Sequence, residues 1–134
     1  MKLLGKVIEN LKFSSDRRIA YFPVTLEMQK EVGASHKDIE GFTDFIRTLG
    51  GIEVAVMFHE LNKEQTRINF RSKGRVVINQ AAKKFDGGGH EFAAGAVIDK
   101  PYKEAIPLVI REVEDALDEY LDEEYRQEVE KAIS

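Results

Sequence analysis

A chain of 134 residues, 43% hydrophobic and 33% charged, is long enough for one packed core and unlike a disordered tail or a fibrous repeat. It contains no cysteine, which excludes disulfide scaffolds, zinc ribbons, iron–sulfur centres and thiol nucleophiles. The net charge of −4 argues against a general nucleic-acid coat protein. No apolar run reaches the ~18 residues of a membrane span, and the first residues lack the apolar stretch and cleavage site of a signal peptide, so a cytoplasmic protein with no membrane partner is expected.

Leu3, Leu4, Val7, Ile8 and Leu11 recur at helical spacing and predict a helix over 2–12. Residues 18–24 (RIAYFPV) read as a strand, in which Pro23 points to an edge or a strand end. Thr25 is placed to cap a short helix that Gly33 ends. Ser35 and Asp38 have capping-box spacing, and Ile39, Phe42, Phe45, Ile46 and Leu49 then form the apolar stripe of a second helix, stopped by Gly50 and Gly51. Residues 52–61 (IEVAVMFHEL) form the strongest strand pattern in the chain, and a turn at 62–65 leads into its hairpin partner at 66–71.

Ile78, Ala81, Ala82 and Phe85 mark a short helix that runs into Gly87, Gly88, Gly89 and His90. A short strand is expected at 96–98. Ile106, Val109, Ile110, Val113, Leu117 and Leu121 then stripe a long C-terminal helix, with Pro107 in its first turn and fraying past Asp122. The sum is a single α/β domain over 1–134, a mixed β-sheet flanked by helices.

Charge is distributed unevenly. Residues 60–84 carry seven Lys/Arg (63, 67, 71, 73, 75, 83, 84) against two Glu, and residues 104–134 carry eleven Asp/Glu against three Lys/Arg. Such a split fits a basic face for an anionic ligand and an acidic helix elsewhere, and equally two solvated faces.

The chemistry-bearing stretch runs from Asn69 to Gly95. Three consecutive glycines remove every Cβ from a turn, so backbone N–H groups can approach a ligand. If 90–94 opens a helical turn closed by Gly95, the helix dipole favours an anion there. His90 adds a donor, Arg71 a fork-shaped phosphate contact, and Ser72, Lys73 and Arg75 further donors. The plainer reading is a glycine-rich turn beside a surface histidine. No Walker A or GxGxxG pattern is present, so the physics alone supports a phosphate cradle and nothing finer. His36 is expected to face solvent and His59 to serve sheet packing. The acids at 115, 118, 119, 122, 123 and 124 are expected on the wet face of the last helix. No sequence motif for a metal site or a Ser-His-Asp triad is present.

The stretch FRSKGRVVINQAAKKFDGGGHEFAAGAVI resembles the DHH-associated, GGGH-motif domain at the C-terminus of DHH-superfamily phosphoesterases. Upstream, EGFTDFIRTLGGIEVAVMFHEL resembles that domain's helix and central strand, so the likeness runs from about residue 18 to the last helix. It is strongest to the oligoribonuclease and adenosine-bisphosphate phosphatase type. Asp86 departs from the pattern, standing where many members have a fourth glycine.

The resemblance implies a domain that binds a nucleotide or short single-stranded RNA or DNA for hydrolysis by a separate Asp-His-His domain that holds divalent metal, usually manganese. No Asp-His-His triplet occurs in this chain, so no cofactor and no catalytic residue are expected in it, and it is expected to be inactive alone. By motif, Arg71, Ser72 and Lys73 would contact the nucleotide or its phosphate, and Gly87, Gly88, Gly89 and His90 would form the cradle. Residues 1–16 would be a helix derived from an interdomain linker. The expected partners are the nucleotide ligand and a DHH catalytic domain, and the surface facing that domain suits a homodimer. The alternative is a stand-alone nucleic-acid-binding or regulatory domain.

Overall fold

The strongest strand pattern forms β3 (Val54–Asn62), in which residues 54–59 are all buried, and the sheet grows outward from it. The computed structural model describes residues 2–33 and 36–134. On one side of β3 lie β2 (Ile19–Val24) and then β1 (Lys12–Ser14); on the other lie β4 (Gln65–Ser72), β6 (Ala93–Ile98) and β5 (Gly88–His90). The β2–β3 pair is parallel and every other pair antiparallel, as a mixed sheet requires. The parallel pair is joined by α2 (Leu26–Val32) and α3 (His36–Arg47). The remaining helices are α1 (Lys2–Glu9), α4 (Asn79–Lys83) and α5 (Tyr102–Ile133).

Local chemistry explains several boundaries. Thr25 caps α2 by accepting the Met28 N–H on Oγ1 at 3.0 Å, and Gly33 ends it in the left-handed conformation with φ 61°. Pro23 sits beyond the reach of β1, which pairs only with residues 19–21, so it lies where β2 has a free edge. The β3–β4 hairpin turns at Lys63 and Glu64, whose N–H is taken by the Asn62 side chain at 2.8 Å. The capping box expected at 35–38 and the side chain of His36 lie outside the described residues.

Four expectations need correction. The first helix stops at Glu9, and residues 12–14 join the sheet against 19–21. Leu3 and Val7 are core residues, and the strand at 12–14 means that the segment expected as one helix over 1–16 is a helix followed by a strand. The strand expected at 96–98 begins at Ala93, because β4 supplies a ladder for Ala93, Ala94 and Gly95 that their weak strand preference does not announce. The C-terminal helix begins at Tyr102, which puts Pro107 in its second turn, and it is helical through to Ile133. Lys103 and Pro107 are exposed there, so water can reach the carbonyl that the missing proline N–H leaves unbonded.

Two cores lie on the two faces of the sheet. Ile68, Phe70, Ala94 and Ala96 pack with α4 and with Ala105, Val109, Val113 and Leu117 of α5. Lys84 at the end of α4 is tied to Glu112 of α5 at 2.9 Å, and that carboxylate raises the lysine pKa. On the other face Ala20, Phe22, Val24, Ala55 and Met57 pack with α1, α2 and α3. That second core takes no residue from β4, β6 or β5, which leaves this half of the face open.

Candidate functional site

Strand β4 alternates cleanly. Thr66, Ile68, Phe70 and Ser72 are buried toward α5, whereas Gln65, Arg67, Asn69 and Arg71 are half-exposed on the open face. Register then decides what stands beside them. Arg71 is opposite Ala93 of β6, which is opposite His90 of β5; one row along, Asn69 is followed by Gly95 and Gly88. Directly opposed residues share a face, so Arg71 and His90 stand on the same side. Two strand spacings put about 10 Å between their backbones. Ala93 stands between them, and Gly95 and Gly88 follow Asn69 one row along, so the floor from β6 to β5 is almost without side chains.

The glycines do different work from that expected. Residues 88–90 are the edge strand β5 and residues 91–92 a turn into β6, so no helical turn opens at His90. A Cβ at Gly87 would lie 2.1 Å from the Gly95 carbonyl oxygen, and one at Gly89 would lie 2.6 Å from that of Ala93, with φ 142° at Gly89. These two glycines let β5 press against β6. Gly88 alone opens onto free space. With no helix N-terminus at hand, positive potential rests on side chains. Among the described residues His90, which is exposed, has no side-chain partner.

Asp86 resolves as a helix-ending residue. It adopts φ 60°, the Gly87 N–H reaches the Ala82 carbonyl at 3.0 Å, and its own N–H reaches that of Lys83 at 3.1 Å. That is a Schellman motif, whose left-handed position ordinarily favours glycine.

Arg71 is held rather than loose. Its Nη1 donates to the Phe70 carbonyl at 2.9 Å, and its Nε lies 3.6 Å from Asp44 of α3. Asp44 also pairs with Arg47 at 3.2 Å, and Arg47 donates to the Ser72 carbonyl at 3.3 Å. Lys73 is exposed and reaches the Leu49 carbonyl, at the end of α3, at 3.5 Å. Ser72 does not join this group: its side chain is 2% exposed on the opposite face, where Oγ accepts the Gly74 N–H at 3.3 Å.

Beyond Arg71 the open face deepens into a cleft of about 420 Å³ between α3 and the β3–β4 pair, lined by Asp44, His59, Arg67, Asn69 and Arg71 among others. His59 is buried in β3, as sheet packing predicted, with Nε2 3.4 Å from the Gln29 side chain. Asp44, Arg47, Arg67 and Asn69 were not singled out as site residues from sequence. The signal existed for two of them, because the alternation of QTRINFRS puts Arg67 and Asn69 on the face of Arg71 and Ser72 on the other. Among the described residues, no three His, Cys, Asp or Glu side chains group in a way that could hold a metal ion, and no helix is long and apolar enough to cross a membrane.

Comparison with known proteins matches residues 4–120 to the DHHA1 domain. The bifunctional oligoribonuclease and PAP phosphatase NrnA of Bacillus subtilis is 33% identical over 98 residues, 73% of this chain and 30% of that protein. Its counterpart from Thermus thermophilus is 29% identical over 117 residues, 84% of this chain and 34% of that protein. The crystal structure of an exopolyphosphatase-related protein from Bacteroides fragilis superposes with a TM-score of 0.79 at 27% identity, over 88% of this chain and 35% of that one. The chain thus spans about a third of the length of the curated relatives it matches.

Proposed function

Because the chain belongs to the DHHA1 domain family, a domain of DHH-type phosphoesterases, we propose that it holds a terminal nucleotide and its phosphate while a separate Asp-His-His domain hydrolyses the ester. The observation that carries this reading is the row Arg71–Ala93–His90 across three strands of an otherwise uncovered face. An arginine fork and an imidazole, on either side of a floor of alanine and glycine, offer donors for phosphate oxygens and flat space for a sugar or base. The names of the two curated relatives, an oligoribonuclease and PAP phosphatase in each case, support a ligand of this class.

The domain acts by position. Arg71 and His90 fix the phosphate, and the strand ladder beneath them keeps the bound group in one orientation relative to the hydrolytic centre. Divalent metal, manganese in the resemblance, would be held by the separate Asp-His-His domain, not by residues of this chain, and would supply activated water there. Ser72 contributes by closing the turn to Gly74, and Lys73 supplies charge at the rim.

The test is an NMR titration of the chain with a nucleoside 5′-monophosphate. We expect shifts at Arg71 and across residues 88–95, and a tenfold or greater weakening in Arg71→Gln and His90→Ala, on the order of one charge-assisted hydrogen bond. Shifts confined to α5, or none at millimolar ligand, would overturn the reading. In an enzyme carrying both domains, His90→Ala should mainly lower kcat/KM on short substrates.

A further inference from the structure

A groove of about 510 Å³ runs along the seam between α4 and α5, on the face of the sheet opposite the Arg71–His90 row. Its apolar lining is Val77, Ala81, Ala116 and Tyr120, and Val77 is 38% exposed at its rim. Its outer end, at Asp122, Glu123 and Arg126, lies past residue 120, where the match to the DHHA1 domain stops.

The charges around this groove are unequal. Lys84 is tied to Glu112 at 2.9 Å and Arg126 to Glu123 at 3.1 Å. Arg75 stands beside the Tyr120 hydroxyl, which donates to Glu124. The cations are therefore engaged, whereas Asp115, Glu119 and Asp122, all exposed, form no ion pair among the described residues. Glu112 raises the Lys84 pKa most, and Asp115 and Glu119 raise it further, so the surplus negative charge is felt across the groove. Positions 115, 119 and 122 follow at helical spacing, which sets them on one face of α5 over a rise of about 10 Å.

That combination selects the occupant. An anion, nucleic acid included, would meet three carboxylates whose charge nothing offsets. A wholly apolar ligand would strip water from them and replace it with nothing. A basic amphipathic helix suits both features, because Lys or Arg at every third or fourth residue meets the carboxylate row while small apolar side chains between them reach the lining. A helix is about 10 Å across, so the groove takes side chains from one of its faces and leaves its backbone outside.

We infer that the α4–α5 groove docks a basic amphipathic helix of a partner protein, laid along α5 on the side of the sheet away from the nucleotide row. Opposite faces of one sheet thus receive opposite charges.

The experiment is a fluorescence-anisotropy titration of the full chain with two labelled peptides of the same lysine, leucine and alanine content. One has lysine at every third or fourth residue on a single helical face, and the other has its lysines scattered around the helix. The patterned peptide should bind about tenfold more tightly, the worth of three exposed ion pairs. Asp115→Asn, Glu119→Gln and Asp122→Asn together should remove that advantage. Glu64→Gln, Glu128→Gln and Glu130→Gln together take the same charge from outside the groove and should leave the advantage in place. Amide shifts on adding the patterned peptide to the unaltered chain should fall at residues 75–84 and 112–126 and spare 88–95. Equal binding of the two peptides, an equal loss in the two triple variants, or shifts at 88–95 in place of the groove overturns the inference. The shift map needs no substitution, so it decides the matter if melting shows that a variant has not folded.

Discussion

The two faces of strand β4 differ in coverage more than in local backbone. On one face Ile68 and Phe70 are completely buried under α5; on the other Arg67, Asn69 and Arg71 look out over a surface that the helices reach only along its α3 rim. The backbone ladder is common to both, since β3 and β6 pair with the strand on either side. What separates them is how far each helical layer extends. On that face α5 lies over β2, β3 and β4 and α4 carries the cover on to β6 and β5, whereas α1, α2 and α3 fill a core that ends at β3. An incomplete helical layer thus leaves one side of a strand open to ligand while its other side is ordinary core.

The sharpest way to break this comparison is on the covered face. Phe70→Ala should cost about 3–5 kcal/mol in urea unfolding, as deletion of a fully buried ring does. If the loss were well under 1 kcal/mol, the α5 face would not be the core it is described as. Next in size is the seam between β5 and β6. Gly87→Ala should cost about 1–3 kcal/mol, because the new methyl meets backbone rather than a movable side chain, and amide exchange in residues 88–95 should accelerate with it. Normal stability in that variant would restore the alternative, that the glycines serve a ligand alone.

Two smaller effects sharpen the account of the open face. Asp86→Gly should stabilise the chain by about 0.5 kcal/mol, relief of the left-handed backbone being partly offset by greater freedom when unfolded. Nucleotide affinity should not change, since Asp86 ends a helix rather than facing the row; a clear gain in affinity would make its charge part of the site. Asp44→Asn should tighten monophosphate binding by about two- to threefold, the worth of a partly exposed ion pair that the ligand otherwise displaces from Arg71. Weaker binding would instead make Asp44 a positioning residue for Arg71.

Those expectations separate what local sequence shows from what it conceals. Thr25, Gly33 and the β3–β4 hairpin were legible because cap, stop and turn are each decided within a few residues. Arg71 and His90 were legible by motif, and their position in one row was not, since register belongs to strand pairs. The glycine run concealed a strand because glycine has no side chain to show alternation, and β5 is dictated by its contact with β6. Residues 12–14 were read as helix because three residues cannot display a strand period against a helical stripe just before them. That Ser72 faces away from Arg71 was not legible, because the motif gives neighbours in sequence, while adjacent residues on a strand face opposite ways.

The length of α5 sets how the molecule turns in water. Its 32 residues make a rod about 48 Å long, whereas a compact chain of this size has a radius of gyration of about 14 Å. Residues 122–134 are all exposed, so the last three turns stand clear of the two cores. Rotation about the helix axis displaces little solvent and rotation across it displaces much, which makes tumbling anisotropic. Amide groups along α5, whose N–H bonds lie near the long axis, therefore relax with the slow component.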